Sequence, residues 1–257
     1  MAIAAVAALA LLAGCRSVPI TDRTQLLLTT SSYENELGVE AYAEYNAKYP
    51  KSTNARYNQA LARVGKAISL VANAPDFNWQ FVVLESAEQN AFCLPGGKVA
   101  VYSGIMKKMR NEAELAFVVA HEVGHAIARH GGERMSWGYL QSFGGILVQL
   151  GLQNDTATQV YGVGTQLGVM LPFSRSNESE ADLIGLLLMA KAGYEPSAAV
   201  EFWTRFAGNS ASDPLNRLLS THPCDSDRIA AMVENMPAAK AEYAKAPDKR
   251  GYGAALN

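Results

Sequence analysis

The five residues His121-Glu122-Val123-Gly124-His125 constrain the fold of this chain more than any other stretch. On one continuous helix the two histidines, four positions apart, project from the same face, where both imidazoles can grip a single metal ion. Glu122 then stands beside that ion, outside the ligand set but within reach of a water. Such a fold must keep the helix unbroken and bring another ligand to it, because a catalytic zinc usually takes three protein ligands. The local sequence permits the helix: Asn111 and Glu114 read as a capping box, and Glu112 to Arg129 holds no Pro and a single Gly. The bland alternative is a buried helix that happens to carry two histidines.

The missing ligand is sought in Ser176-Asn177-Glu178-Ser179-Glu180-Ala181-Asp182, where three acids compete. On a helix Glu178 and Asp182 share a face, while Glu180 points roughly 200° away from Glu178 at about 100° per residue. Glu178 has the longer arm and suits direct ligation. Asp182, one turn on, suits a hydrogen bond to the far nitrogen of a ligand histidine. The competing reading is a solvated acidic helix start near a positive dipole end. His130, five residues after His125 and just before Gly131-Gly132, is displaced from the ligand face and reads as a helix-terminal residue.

Around this centre the pattern predicts an α+β fold, mostly α. Ser31 to Tyr49 and Asn54 to Ala72 read as amphipathic helices, the second with Tyr57, Leu61, Val64, Ile68 and Val71 along one stripe. Phe77 to Tyr102 is the main β region, with strands Phe81–Leu84 and Lys98–Tyr102 separated by the turn chemistry of Pro95-Gly96-Gly97. Further helices are expected over Pro196 to Phe206 and Asp227 to Met236. Ser136 to Phe173 reads as helices beside the cleft, mobile at Gly144, Gly145, Gly162 and Gly164, with Gln141, Gln149, Asn154 and Asp155 arguing against a membrane span.

These motifs carry a resemblance. The HEVGH helix, the E-x-x-x-D spacing of Glu178 and Asp182 running into Leu183-Ile184-Gly185, and Thr221-His222-Pro223 with Arg228 are similar to the HtpX/CAAX-prenyl-protease type of gluzincin metallopeptidase. The branch they look most like is the BepA-like one of lipoprotein or periplasmic members. The likeness runs from about Leu37 to about Val233 and includes Asn90-Ala91-Phe92 and Pro95-Gly96-Gly97. It implies a zincin-like domain with a small β-sheet beside the HExxH helix. It also implies one Zn²⁺ per chain on His121, His125 and Glu178, with Glu122 as catalytic base and Asp182 and Arg228 behind the ligands. By the same resemblance Asn90, Ala91, Phe92, Pro95, Gly96 and Gly97 rim a cleft where an extended peptide lies along a sheet edge. His222 keeps three readings: a donor to the developing oxyanion, a fourth ligand that holds the enzyme closed, or a loop histidine before a helix. The expected activity is a zinc metalloendopeptidase acting on unfolded or misassembled envelope proteins, in protein quality control. The alternative is a lipoprotein chaperone or assembly factor whose protease activity is latent or silenced.

Composition limits the rest. A chain of 257 residues with 49% hydrophobic content can bury a full core, and a net charge of −2 gives no reason to expect nucleic-acid binding. Leu12-Ala13-Gly14-Cys15 ends an apolar run too short to span a membrane and resembles a bacterial lipoprotein box, although no Lys or Arg precedes it. The expected layout is a signal peptide over 1–14, a tether from a lipidated Cys15 over 15–30, the peptidase domain over 31–245 and a disordered tail over 246–257. That layout implies a periplasm-facing lipid anchor, at the outer membrane because Arg16 rather than Asp follows Cys15. Oligomeric state is left open. Cys93 and Cys224 both fall in segments that the resemblance sets around the active site. A disulfide clamping the His222 loop to the rim, or two unpaired thiols, are the two readings.

Overall fold

A computed structural model describes residues 14–152, 174–210 and 214–257. The expected signal segment therefore lies almost wholly outside the described residues, as does the part of the predicted cleft helices beyond Leu152.

The chain opens with an antiparallel pair, β1 (Cys15–Ser17) and β2 (Thr24–Leu26). Two helices follow, α1 (Ser31–Lys48) and α2 (Ala55–Val71), each begun by a side chain that accepts from the first turn, Thr30 and Asn54. These caps satisfy backbone N–H groups that a helix start leaves orphaned. On α2 the buried residues Tyr57, Leu61, Val64 and Ile68 follow the helical repeat.

The sheet differs from the expected pair of strands, Phe81–Leu84 and Lys98–Tyr102, set on either side of one turn. β3 (Gln80–Leu84) runs parallel to β5 (Lys98–Tyr102), and the strand antiparallel to β5 is β4 (Ala91–Leu94), giving the order β3-β5-β4. Pro95-Gly96-Gly97 does make the turn, with Gly96 at φ 77° and Gly97 at φ 79°, values that favour glycine. That turn joins β4 to β5. Parallel strands need a longer crossover, which residues 85–97 supply, β4 included.

After the short α3 (Ser103–Met106) comes α4 (Glu112–Ile127), in which every residue from Glu112 to Ala126 is buried. Asn111 accepts from the Glu114 N–H at 3.0 Å, while the Glu114 carboxylate takes the N–H of Arg110 at 2.8 Å, one residue before the partner of a strict capping box. α5 (His130–Leu152) and α6 (Arg175–Lys191) follow, then α7 (Ser197–Ser210), the single-turn α8 (Arg217–Thr221) and α9 (Ser226–Lys245). The fold is mostly helical with small sheets, as expected.

α4 and α6 approach backbone to backbone at two glycines. A Cβ on Gly185 would come within 2.8 Å of the His121 backbone nitrogen, and one on Gly124 within 3.1 Å of the Ala181 carbonyl oxygen. These two glycines let the acids of α6 reach the histidines of α4.

Two boundary expectations are corrected. Residues 15–30 are not a loose tether: Val18 is wholly buried and Gln25 donates to the Ala128 carbonyl at 2.9 Å. Residues 246–257 are not disordered either. The Ala254 and Tyr252 carbonyls accept from the N–H groups of Glu112 and Ala113, both at 3.0 Å, and Leu256 is buried. The tail thus satisfies orphaned donors in the first turn of α4. Its polar sequence hides this because the groups doing it are backbone carbonyls.

Candidate metal centre

α4 presents His121 and His125 on one face, α6 brings Glu178, and the residue after α8 brings His222. One donor atom from each lies within 4.8 Å of all the others, and all four residues are buried. His121 Nε2 and His125 Nε2 are 3.2 Å apart, with Glu178 oxygens at 3.6 Å from the first and 3.4 Å from the second. Tetrahedral ligands on bonds of about 2.1 Å stand about 3.4 Å from one another, so these spacings suit a zinc ion.

The hydrogen-bond network orients the rings and sets the tautomer of His125. His121 Nδ1 lies 3.0 Å from Asp182 Oδ1, which turns its Nε2 toward the donor cluster. His130 Nε2 donates to Glu180 Oε2 at 2.9 Å, so a neutral His130 offers Nδ1 as acceptor to the Nδ1–H of His125, also at 2.9 Å. Burial holds both His125 and His130 below their ordinary pKa and keeps them neutral. His125 Nε2 is then unprotonated. One imidazole nitrogen from each of His121 and His125 and a carboxylate face one point, and a cation satisfies all three.

The charges agree. Glu122, Glu178 and Asp182 bring three carboxylates into the buried centre against one guanidinium, that of Arg228. Arg228 donates to Asp182 Oδ2 at 2.7 Å and Oδ1 at 2.8 Å, and its Nη1 lies 2.9 Å from Glu178 Oε2. Burial raises the Glu122 carboxyl above its ordinary range, opposed by His222 and His121. Burial acts the same way on Glu178 and Asp182, yet hydrogen bonds to His125 and His222, and to His121 and Arg228, hold both low.

His222 sits inside this cluster. Its Nδ1 is 3.0 Å from Glu178 Oε1 and 3.3 Å from His121 Nε2, and its Nε2 is 3.6 Å from Glu122 Oε1. Burial opposes its protonation, but Glu122 and Glu178 outweigh burial and raise its pKa.

The expected rim does not form one surface. Strand alternation turns Ala91 and Cys93 toward the core around α4, while Phe92 faces the other way, 4.5 Å from the Tyr45 ring. Gly96 and Gly97 are buried against Asn35 of α1 and against Phe77 and Trp79. Asn90 accepts the Tyr102 N–H and continues the β4–β5 ladder. β4 is an edge strand of its sheet.

The disulfide is also corrected. Cys93 and Cys224 are both free, and burial pushes the Cys93 thiol well up and the Cys224 thiol to about 12. Thiols so disfavoured as thiolates are poorly reactive.

One pair of residues escaped the sequence reading. His130 does begin a helix, but Arg129 at φ 56° breaks the chain between α4 and α5 and turns the His130 ring back onto His125. Glu180 faces away from Glu178 as its spacing requires, and what it faces is His130. Helical spacing counts residues along one unbroken helix and so cannot find a contact made across a break.

The comparisons with known proteins concern the chain as a whole. The sequence model of "Peptidase family M48" matches residues 55–236. The mitochondrial metalloendopeptidase OMA1 of Schizosaccharomyces pombe is 34% identical over 229 residues, which is 87% of this chain and 67% of that protein. Its namesake in Arabidopsis thaliana is 38% identical over 169 residues, 66% of this chain and 34% of that protein. The beta-barrel assembly-enhancing protease of Escherichia coli is 27% identical over 209 residues, 77% of this chain and 42% of that protein. The chain thus spans from about a third to two thirds of the length of these relatives. The first two are named as mitochondrial, which overturns the expectation of a lipid-anchored bacterial protein facing the periplasm at the outer membrane. That address rested on a four-residue box, on Arg16 after it and on the likeness to lipoprotein or periplasmic members. Among the described residues no helix is long and apolar enough to cross a membrane.

Proposed function

The chain belongs to peptidase family M48, and from that membership we propose that it is a zinc-dependent metalloendopeptidase whose ligands are His121, His125 and Glu178 and whose base is Glu122. The observation that carries this reading is the convergence of one imidazole nitrogen from each of His121 and His125 and the Glu178 carboxylate on one buried point. Held by these residues, a zinc ion would supply Lewis-acid polarisation and a more acidic water. Glu122 takes the proton of the attacking water and returns it to the leaving amine, a role that its raised pKa suits. Asp182 and His130 hold the two ligand rings by their far nitrogens, and Arg228 holds Asp182. The substrate we propose is unfolded polypeptide, bound extended along the β4 edge, where main-chain hydrogen bonds make binding tolerant of side-chain identity.

An unfolded protein such as casein incubated with the full chain is expected to be cut, the cutting to stop with a zinc chelator, and to return on adding zinc. Digestion that continues unchanged in excess chelator overturns the metal-dependent mechanism.

A second reading concerns control and rests on the place of His222. Its Nδ1 joins the donor cluster, 3.3 Å from His121 Nε2 and 3.0 Å from Glu178 Oε1, where it would compete with water for a bound ion. In this reading the site as described is closed, and His222 leaves when substrate enters. His222→Ala is then expected to raise the rate of casein cleavage. If His222 instead donates to the oxyanion, the same variant loses on the order of 10²- to 10³-fold in kcat.

A further inference from the structure

The hairpin β1–β2 lies before residue 55, where the family match begins, yet it touches the metal centre's supporting residues. Arg23 of that hairpin donates through Nε to Glu180 Oε2 at 2.8 Å and through its two terminal nitrogens to the Glu133 carboxylate, both at 2.8 Å. Thr21 donates to the other oxygen of Glu180. Glu180 accepts from His130, and His130 accepts from His125. A continuous line therefore runs from the hairpin to a ligand: Arg23, Glu180, His130, His125.

Each link has a direction. Glu180, gripped through Oε1 by Thr21 and through Oε2 by Arg23, also accepts the His130 Nε2–H on Oε2 at 2.9 Å. That fixes His130 Nδ1 as an acceptor, which in turn fixes the proton of His125 on Nδ1 and leaves Nε2 for the ion. An imidazole whose far N–H faces a carboxylate is a stronger metal donor, and one whose ring is fixed loses less freedom on binding. Here a second histidine is interposed between ligand and carboxylate. Arg23 keeps that carboxylate from turning, since its planar fork binds Glu180 and Glu133 together.

Resting on the zinc reading above, we propose that His130 and Glu180 are positioning residues for His125 and that the N-terminal hairpin, through Arg23, sets the affinity of the site for its metal. The hairpin is then part of the metal centre although it supplies no ligand and no group that touches substrate.

The test is zinc affinity, measured on the full chain by competition with a chromophoric chelator, together with the absorption spectrum of the cobalt-substituted protein. His130→Phe is expected to weaken zinc binding about 10- to 100-fold, the range for residues that orient ligands, and to shift the cobalt bands. His130→Asn, whose oxygen can accept from His125 but whose amide falls short of Glu180, is expected to recover part of that loss. Arg23→Ala, one link further out, is expected to weaken binding by about threefold to tenfold. Arg23 is partly exposed, so this variant reports even if His130→Phe fails to fold. A folded His130→Phe protein with wild-type affinity and cobalt spectrum overturns the positioning role, and an unchanged affinity in Arg23→Ala overturns the role of the hairpin. Failure of the wild-type chain to bind zinc at all would instead sink the metallopeptidase reading on which the proposal rests.

Discussion

Glu122→Gln is expected to reduce peptide-bond hydrolysis by about 10²- to 10⁴-fold while leaving zinc binding intact. The substituted side chain has nearly the shape of the carboxylate and can hydrogen-bond a water, but its amide cannot take a proton. Glu122 lies beside His222 without bonding His121 or His125 directly, so the two imidazole nitrogens and Glu178 keep their arrangement when the side chain changes. Two measurements on the same sample separate the roles: metal content by elemental analysis, and kcat on an unfolded protein substrate. Wild-type turnover in the variant removes Glu122 as the base, whereas loss of both turnover and metal makes Glu122 part of the metal's own shell.

The second large effect concerns stability. Arg228→Met keeps a long apolar stem but removes the fork that binds Asp182 and neighbours Glu178. Two buried carboxylates then lose their shared countercharge, and removing one partner of a buried ionic group costs about 3–5 kcal/mol. The guanidinium also lies 5.2 Å from the Trp203 ring centroid and donates to the Pro223 carbonyl at 2.7 Å, contacts that Met does not replace in kind. Denaturant unfolding of the metal-free protein is the direct measurement. The loss should shrink in the zinc-loaded protein, where the ion neutralises Glu178. Arg228→Lys should fall between wild type and Arg228→Met, because an ammonium keeps the charge without the bidentate geometry. A loss below about 1 kcal/mol in the metal-free protein, well under the cost of stranding a buried charge, would show that Asp182 and Glu178 do not depend on Arg228.

The core of the site was legible because its geometry is local. His121, Glu122 and His125 share one helix, and helical periodicity alone decides that both rings leave the same face. The same rule separated Glu178 and Asp182 from Glu180. The bounds of α1 and α2 are legible to within a residue or two from their caps, and α2 also from its apolar stripe, whereas α1, which buries Glu34 and Gly38, is not the amphipathic helix expected. Errors began where the partner is remote. The turn at Pro95-Gly96-Gly97 was visible, but which strand it joins to β5 depends on pairing that no local pattern encodes. The same holds for the rim, whose residues divide between two faces of the sheet and a turn packed under α1.

Residue type and helical spacing were enough to say which atoms can bind a metal and which acid can move a proton. The folded chain supplied the rest. It brought α6 against α4 at Gly124 and Gly185, and it laid the polar tail onto the first turn of α4. Through the break at Arg129 it turned His130 back to His125, and it set Glu180 and the hairpin's Arg23 behind them. The difference is one of range. Rotation about a helix axis is settled within a few residues, whereas the hydrogen bonds that tie Glu180 to His130, Arg23 and Thr21 join groups 50 to 159 positions apart.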